Sequence, residues 1–274
     1  MIKLIDVSFS YGDREIFDGI NMEIGDGEWV ALVGANGSGK STLIKLLNGL
    51  LVPTKGRVLI DGMDTRDEGN VWEIRRRVGV VFQNPDTQIV ASIVEDDIAF
   101  GPENLGLAPE EIRERVEQVL KVLKLEPFRS SPTYALSGGQ KQKLAIAGVL
   151  AMKPRYLVLD EPTSMLDPPS RRDINKIIKF LYDKEKITVV YSTHNPEEIF
   201  YATRVIALSK GTLFFNGTPW EFFSNPERVW ECGVKLPIIT HLCYKLKKRG
   251  LDLSFPIFSP KELAEELWRL KSKM

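Results

Sequence analysis

The apolar positions of the chain include several short, nearly uninterrupted runs. They cover residues 28–33, 78–82, 156–159 and 187–191, and most are rich in β-branched side chains. Runs of this length are typical of strands in a parallel sheet that is covered on both faces. Further short β-segments, separated by turn signals, precede the first run within residues 2–33. This pattern predicts an α/β fold.

Helical periodicity fills much of the sequence between these runs. Leu43, Leu46, Leu47 and Leu50 recur at i, i+3, i+4 and i+7 directly after the first run, which predicts a helix there. Residues 84–150 carry a second set of helical stripes, so we predict a helical subdomain inserted between strands. The members of its clearest stripe are Ile112, Val116, Val119, Leu120 and Leu123.

The tail ends in a further predicted helix over residues 259–270. Ser259, Pro260 and Glu262 fit the N-cap, N1 and N3 positions. Leu263, Leu267 and Leu270 then share one face. Such a face either packs on its own domain or forms a dimer contact, and the sequence leaves both open.

Composition narrows the class of protein. The chain has 274 residues, 43% hydrophobic and 27% charged, with a net charge of zero, which argues against a dedicated nucleic-acid binder. Cys232 and Cys243 lack metal or redox spacing, so we expect two free thiols in a reducing cytosol. No apolar run approaches the ~18 residues that span a bilayer. Any membrane role would therefore depend on a partner.

A phosphate-binding loop lies between the first run and the first predicted helix. The segment Gly34-Ala35-Asn36-Gly37-Ser38-Gly39-Lys40-Ser41 matches the P-loop pattern in its strand–loop–helix setting. Its glycines let backbone N–H groups wrap a phosphate chain, and the helix N-terminus adds a positive dipole end. Lys40 would contact the outer phosphates, and the Ser41 hydroxyl would bind Mg²⁺.

Two carboxylates end the third apolar run. In Leu157-Val158-Leu159-Asp160-Glu161, the aspartate stands where P-loop enzymes hold Mg²⁺. Glu161, one position on, would polarise a water for in-line attack on the γ-phosphate. Solvated acids at a strand end are common, but beside a complete P-loop we favour the catalytic interpretation.

The segment Leu136-Ser137-Gly138-Gly139-Gln140 distinguishes among P-loop families. Locally it fits a capping box, with Ser137 as N-cap and Gln140 as N3. Two glycines in the first turn weaken a helix by about 1 kcal/mol each, which makes sense if a phosphate approaches the backbone. This pentapeptide matches the signature of ATP-binding cassette (ABC) proteins, which the chain resembles from residue 1 to about 220.

The resemblance implies a fold and a set of site residues. The fold would be a P-loop NTPase cassette with a RecA-like core, an antiparallel β subdomain, the inserted helical subdomain and a C-terminal helical extension. Domain 1–220 would bind nucleotide, and 221–274 would form the extension, with a candidate dimer contact. The implied ATP-binding residues are Tyr11, which stacks on adenine, Gly34, Ala35, Asn36, Gly37, Ser38, Gly39, Lys40, Ser41, Thr42, Ser137, Gly138, Gly139, Gln140 and the D-loop Asp167.

The same resemblance assigns catalysis and metal binding. The implied catalytic residues are Glu161, the switch histidine His194 and the Q-loop Gln83, and the implied Mg²⁺ ligands are Ser41, Gln83 and Asp160. In this family two cassettes face head to tail, so that ATP lies between one P-loop and the other chain's signature segment. A homodimer or a heterodimer would satisfy this geometry.

A narrower resemblance concerns residues 82–88 and 94–105. Both stretches resemble the ATPases of energy-coupling factor (ECF) transporters, a group that includes cobalt/nickel uptake cassettes; Lys143 departs from the more usual Arg. The resemblance implies an importer of a vitamin or a transition-metal ion, at the cytoplasmic face of the cell membrane. Its partners would be a second ATPase, an integral membrane coupling protein and a substrate-binding membrane protein. The predicted apolar contacts for the coupling protein are Ile89, Val90, Ile93 and Val94.

The main alternative is a soluble ABC ATPase that acts in cofactor assembly or on nucleic acid. Repair-type relatives carry long coiled-coil insertions between the P-loop and the signature, and translation-factor relatives carry two cassettes. This chain has one P-loop and no such insertion. An adaptor role in cofactor assembly is not excluded by these features.

Overall fold

The four predicted apolar runs form adjacent strands on one side of a six-stranded sheet, and the run at residues 78–82 forms its edge strand. The computed structural model describes residues 1–272. The strands are β1 (Ile2–Tyr11), β2 (Arg14–Ile24), β3 (Trp29–Val33), β4 (Lys55–Ile60), β5 (Met63–Asp64), β6 (Val78–Val81), β7 (Tyr156–Asp160), β8 (Thr188–Ser192), β9 (Arg204–Ser209) and β10 (Thr212–Gly217). The large sheet has the order β10-β9-β3-β8-β7-β6, and only the β9–β10 pair is antiparallel. The other four strands form the antiparallel sheet β2-β1-β4-β5.

Helices cover the large sheet and join its strands. They are α1 (Lys40–Leu47), α2 (Val71–Arg77), α3 (Val94–Asn104), α4 (Pro109–Leu123), α5 (Gly138–Ala151), α6 (Pro168–Glu185), α7 (Pro196–Ile199), α8 (Pro219–Phe223), α9 (Pro226–Glu231), α10 (Ile238–Lys248) and α11 (Pro260–Lys271). Helices α3 to α5 lie between β6 and β7, as the helical stripes predicted. The fold is therefore the P-loop cassette that the sequence predicted.

Alternate residues of the central strands point to opposite sides of the sheet, and both sides are buried. On β3, Trp29, Ala31 and Val33 pack in one apolar cluster, whereas Val30 and Leu32 pack in another. The first cluster includes the inserted helices, and the second includes α1 and the antiparallel sheet. Burial on both faces explains why these strands are continuous apolar runs.

One helix boundary differs from the prediction. The helix after the P-loop ends at Leu47, so Leu50 lies outside it and is 45% exposed. Gly49 follows the helix with a φ of 68°, a left-handed conformation that favours glycine and commonly ends a helix. Leu43, Leu46 and Leu47 are fully buried, as predicted.

The tail divides into two packing regions. Side chains from Phe222 to Leu236 belong to the same cluster as the sheet and the inserted helices. A third cluster, centred on Cys243, Leu253, Ile257 and Leu263, joins α10 and α11. The division of the chain at residue 220 stays a prediction. The third cluster begins only after Leu236, and Tyr244 and Phe258 from this part of the tail still pack against the main cluster.

The last helix has the predicted cap and covers its own apolar face. Ser259 and Glu262 form a reciprocal capping box. Leu263 is buried, and Leu267 and Leu270 pack against the third cluster. This face therefore packs within the tail, so a dimer contact there would have to use other side chains.

Two further expectations concern sulfur and membrane spans. Cys232 and Cys243 are buried free thiols, and burial raises the pKa of Cys232 to about 11. Within residues 1–272, no helix is both long and apolar enough to cross a bilayer.

Candidate active site

Four parallel strands carry the predicted site residues to one edge of the sheet. β3 leads into the P-loop, β6 leads to Gln83, β7 ends at Asp160 and β8 leads to His194. These strands are neighbours or near neighbours and run in the same direction, so their carboxyl ends meet. Ligands of open α/β sheets bind at such an edge.

Two P-loop glycines stand where any side chain would collide. A Cβ on Gly34 would lie 2.5 Å from the carbonyl oxygen of Leu208. A Cβ on Gly39 would lie 2.5 Å from the ring of Phe17, and its φ of 101° is itself unfavourable for other residues. The loop can therefore take this path only with glycine at both positions.

The rest of the loop leaves its central residues accessible. Ala35, Asn36, Gly37 and Ser41 are exposed. The backbone N–H of Ser38 donates to the Ala35 carbonyl at 3.1 Å and closes the turn. In the described part of the chain, the buried Ser38 hydroxyl has no hydrogen-bond partner. A polar atom without a partner beside a loop of this shape suits a polar ligand, because such atoms are rarely left unpaired.

Lys40 is the buried cation of the site and is 6% exposed. Its Nζ donates to the Gly34 carbonyl at 2.9 Å and lies 3.7 Å from Glu161 Oε1. Burial lowers the pKa of Lys40, and the nearby charges of Glu161 and Asp160 partly oppose this. An anionic ligand would relieve the cost of burying the ammonium group, because it would supply additional negative charge.

Glu161 has a strained backbone that its neighbours hold in place. Its φ is 47°, in the left-handed region, which costs a residue other than glycine of order 1–3 kcal/mol. Its N–H donates to the Ser192 hydroxyl at 2.8 Å, and its carbonyl accepts from the Ser164 hydroxyl at 3.0 Å. Strain of this kind clusters at functional sites, where it directs a side chain.

His194 and Gln83 both contact the Glu161 carboxylate. His194 Nε2 lies 2.7 Å from Oε1, and Gln83 Nε2 donates to Oε2 at 3.2 Å. Because the His194 nitrogen is so close to a carboxylate oxygen, we assign its proton to Nε2. Lys40 Nζ, 3.0 Å from the same nitrogen, then directs its hydrogens to the loop carbonyls.

Ser192 is a site residue that the sequence analysis missed. It is fully buried at the end of β8, and its hydroxyl donates to Asp160 Oδ1 at 2.8 Å while accepting from the Glu161 N–H. It thus joins β7 to β8 directly behind both carboxylates. A serine at the end of a buried apolar strand, two residues before His194, was the available signal.

Other predicted residues do not contact this cluster within one chain. The signature residues Ser137 and Gln140 form the predicted capping box on α5. A Cβ on Gly138 would meet no atom within 4 Å, whereas one on Gly139 would lie 2.7 Å from the Ser170 hydroxyl. Gly139 therefore has an internal packing reason to be glycine, and Gly138 has none.

Three remaining predicted residues have local surroundings. Tyr11 is 47% exposed and packs edge-on against Phe9. Asp167 caps α6 by accepting the Ser170 N–H at 3.3 Å, and its hydrogen bonds with Ser170 lower its pKa. Thr42 is buried in α1. An exposed ring at Tyr11 is compatible with stacking on a base, but the chain alone does not bring it to the catalytic cluster.

A mainly apolar groove of about 530 Å³ lies between the core and the inserted helices. Leu50, Trp72, Val90 and Phe100 line it and are 45–72% exposed. The buried Asp97 fixes this wall, because its Oδ1 accepts the N–H groups of Val90 and Ala91 at 2.7 and 2.9 Å. We call it the docking groove below.

The four predicted apolar contacts differ in their accessibility. Of the four, only Val90 lines the groove. Val94 is fully buried in the core, Ile89 packs against that core, and Ile93 pairs with Pro132. Trp72 and Phe100, which the sequence analysis did not single out, are the large exposed side chains at this place.

Comparisons with known proteins agree with this architecture. Residues 17–164 match the family model of the ABC transporter domain. The energy-coupling factor transporter ATP-binding protein EcfA1 of Clostridium perfringens is 47% identical, with 99% of each chain covered. The cobalt import ATP-binding protein CbiO of Syntrophus aciditrophicus is 44% identical, covering 99% of this chain and 98% of that protein.

Solved structures show the same fold. CbiO1 from Clostridium perfringens, described as part of the ABC transporter complex CbiONQ, superposes with a TM-score of 0.77 at 37% identity, over 89% of this chain and 98% of that chain. The dimeric ATP-binding cassette MJ0796, bound to ADP and phosphate after hydrolysis, superposes with a TM-score of 0.72 at 32% identity, over 80% and 99%.

The fold, the P-loop and the relatives together define this chain as an ATP-binding cassette. The chain belongs to the ABC transporter family, in the group of energy-coupling factor transporter and cobalt import ATP-binding proteins that these relatives represent. The narrower resemblance of residues 82–88 and 94–105 to ECF transporter ATPases is thereby confirmed at the level of the family. The alternative of a soluble ABC ATPase acting in cofactor assembly or on nucleic acid is not favoured by these comparisons.

Proposed function

We propose that this chain binds and hydrolyses ATP to power an ECF-type importer. The observation that carries the proposal is the convergence of Lys40, Glu161, His194 and Gln83 at one edge of the sheet, beside a P-loop with an exposed centre. The relatives supply the class of machine, because the two described above match nearly the whole chain and are named as a transporter and an import ATP-binding protein.

The residues present suit ATP with Mg²⁺. Mg²⁺ prefers oxygen ligands, and the Ser41 hydroxyl, the Asp160 carboxylate and the Gln83 side-chain carbonyl offer them around the P-loop edge. The ion would neutralise phosphate charge when bound. The Ser38 hydroxyl and Lys40 Nζ would bind phosphate oxygens, and Tyr11 would stack on adenine.

Glu161 is proposed as the general base for the attacking water. Its carboxylate lies between His194 and Gln83, which hold one oxygen each. His194 would keep the carboxylate aimed at the γ-phosphate position and contact that phosphate itself. Gln83 would help to position the water, and its place after β6 connects the site to the helical subdomain.

The proposed active unit contains two cassettes, as in the dimeric structural relative. The exposed Gly138, with open space around its Cα, supports the proposal that Ser137, Gly138, Gly139 and Gln140 act on ATP held by the other cassette. Asp167 would lie at the same interface. The second cassette is either another copy of this chain or a sister chain.

The docking groove is proposed to receive a helix of the membrane coupling protein. Amphipathic helices commonly bind by laying apolar side chains into such a groove, and exposed Trp72, Val90 and Phe100 provide the apolar surface. Gln83 lies on the loop that leads to Val90, so closure around ATP would move this wall. The chain would then sit peripherally on the cytoplasmic face of the membrane, and a separate membrane protein would bind the vitamin or metal ion.

The test uses the purified chain, alone and with co-expressed membrane partners in liposomes. We expect Mg²⁺-dependent ATP hydrolysis that depends on Lys40, and substrate uptake only when the complete complex and ATP are present. A wild-type protein that binds no ATP would contradict the proposed activity. ATP hydrolysis without any association with the membrane proteins would contradict the transport role alone.

A further inference from the structure

Glu198 is a buried carboxylate that the proposed chemistry does not use. It lies in α7, four residues after His194, and is 4% exposed. Within residues 1–272 it forms no ion pair. Its Oε1 accepts the Thr163 hydroxyl at 2.6 Å and the Asn175 side-chain amide at 3.2 Å, and its Oε2 accepts the Thr193 hydroxyl. A buried carboxylate requires such donors, because its charge is otherwise poorly solvated.

The two hydroxyl donors belong to the two loops that carry the catalytic pair. Thr163 follows Glu161 by two residues, and Thr193 directly precedes His194. The Thr193 hydroxyl also accepts the Asn195 N–H at 2.9 Å, so its own hydrogen is directed to Glu198. One carboxylate therefore fixes the relative position of both loops.

The third donor brings in the helix that follows Asp167. Asn175 lies on α6, and its Oδ1 accepts the hydroxyl of the buried Tyr191 at 2.9 Å. Burial raises the pKa of Tyr191 well above its ordinary value, so the phenol stays a hydrogen-bond donor. α6, β8 and both catalytic loops thus meet at Glu198.

We propose that Glu198 is a positioning residue for ATP hydrolysis and that it sets the distance between Glu161 and His194. The proposal rests on the proposed ATPase function. Glu198 reaches the reacting atoms only through Thr163 and Thr193. The rate of hydrolysis depends strongly on the positions of Glu161 and His194, because a displacement of about 1 Å at a reacting group can lower the rate on the order of 100-fold. Nucleotide binding, which depends on the P-loop, does not require it.

The test compares Glu198→Ala and Glu198→Gln with Glu197→Ala, the exposed neighbour in the same turn. We expect Glu198→Ala to lower kcat about 100-fold, while the Kd for ATP stays within about twofold. Glu198→Gln keeps the volume and one acceptor oxygen, so its kcat should lie between those of Glu198→Ala and wild type. Glu197→Ala should match wild type. Thermal melting defines a temperature at which every variant is folded.

Non-additivity distinguishes positioning from a general structural effect. If Glu198 acts through the catalytic pair, Glu198→Ala should cause little further loss in a His194→Ala background. Thr193→Val, which removes one donor without changing the volume, should lower kcat in the same direction, and it carries the test if Glu198→Ala does not fold. Multiplicative losses, a weakened Kd for ATP with unchanged kcat, or a kcat for Glu198→Ala within about threefold of wild type would each overturn the proposal. An inactive wild type would instead contradict the proposed function, and the positioning role with it.

Discussion

His194 Nε2 lies 2.7 Å from Glu161 Oε1, although the two residues come from different strand ends. Their contact is supported from behind by Ser192, which bonds the backbone of Glu161 and the side chain of Asp160. In the proposed mechanism this edge of the sheet has two tasks: Lys40 and the loop would bind the phosphates, and the Glu161–His194 pair would act on the attacking water.

Glu161→Gln should nearly abolish hydrolysis while leaving ATP binding intact. The amide keeps the shape of the side chain but cannot accept a proton, and loss of a general base costs ~10²–10⁴ in rate. The ATP-bound dimer should therefore accumulate. Steady-state hydrolysis and size-exclusion chromatography with ATP measure both effects, with the exposed Glu185→Gln as the control. Near-normal turnover in the Glu161 variant would refute its assignment as the base.

Gly138→Asp should block sharing of the active site without unfolding the monomer. The position has open space, so the side chain is accommodated, but its carboxylate would repel phosphate held by the other cassette. Equal mixing with Lys40→Ala chains should restore about a quarter of wild-type activity, because half of the dimers then contain one intact site. Absence of any recovery, under conditions where subunits exchange, would argue against a shared site.

Gly139→Ala should behave differently from Gly138→Ala. Its Cβ would lie 2.7 Å from the Ser170 hydroxyl and 3.0 Å from the Ser170 Cβ, so the hydroxyl must rotate away or α5 and α6 must separate slightly. We expect Gly139→Ala to lower the free energy of unfolding by roughly 1–3 kcal/mol, which lowers the melting temperature. The free energy of unfolding of Gly138→Ala should stay within about 0.5 kcal/mol of that of wild type. Equal melting temperatures would show that the α5–α6 contact yields without cost.

Val90→Asp and Phe100→Asp should release the ATPase from its membrane partner. Both side chains are exposed in the docking groove, so a charge there would be buried without a counter-ion in the complex. Co-purification with the tagged coupling protein measures the loss, and ATP binding at Lys40 should survive. The matched control is Phe180→Asp, because Phe180 is 47% exposed on α6, outside the groove. Full co-purification of the folded groove variants would place the contact elsewhere.

Removal of residues 237–274 tests the tail as a dimer contact. A cut at residue 219 would instead strip Phe222, Phe223 and Val234 from the main core. The face of Leu263, Leu267 and Leu270 packs within the tail, which leaves the exposed Ile238, Leu242 and Trp268 as the available apolar surface. The truncated chain should bind ATP and sediment as a monomer without nucleotide. A stable nucleotide-free dimer after truncation would rule out the tail contact.

Asp61 should make the fold sensitive to acid. Burial opposes its ionisation, but hydrogen bonds from the Met1 amine, Tyr156 and Arg77 outweigh this and hold the pKa of Asp61 well below its ordinary value. The ionised Asp61 therefore stabilises the fold at pH values above the ordinary pKa of an aspartate. This stabilisation is lost progressively as the pH falls below about 4. Asp61→Asn should lower stability by roughly 2 kcal/mol at neutral pH, and the difference from wild type should shrink in acid. Melting curves at several pH values measure this, with exposed Asp13→Asn as the control.

The chemistry of this protein was largely determined by its sequence. The P-loop needs glycine and lysine at fixed spacing, and a run of residues that is buried on both faces must be apolar, so Lys40 and the strands leading to Asp160 and His194 were recognisable without coordinates. The helix caps at Ser137 and Ser259 were also predictable, because each capping box depends only on two residues three positions apart in the sequence.

Tertiary structure decided what depends on contacts between distant residues. Glu198 and Thr163 are 35 positions apart, and nothing local distinguishes this buried glutamate from the exposed Glu197. The same holds for Val94, an apolar residue that serves the core rather than a partner, and for Gly139, whose neighbour Ser170 comes from another helix. Whether a side chain is buried, or lies close to a distant residue, depends on how the elements pack together. A local sequence pattern predicts burial only where the periodicity of one helix or strand determines which of its faces is covered.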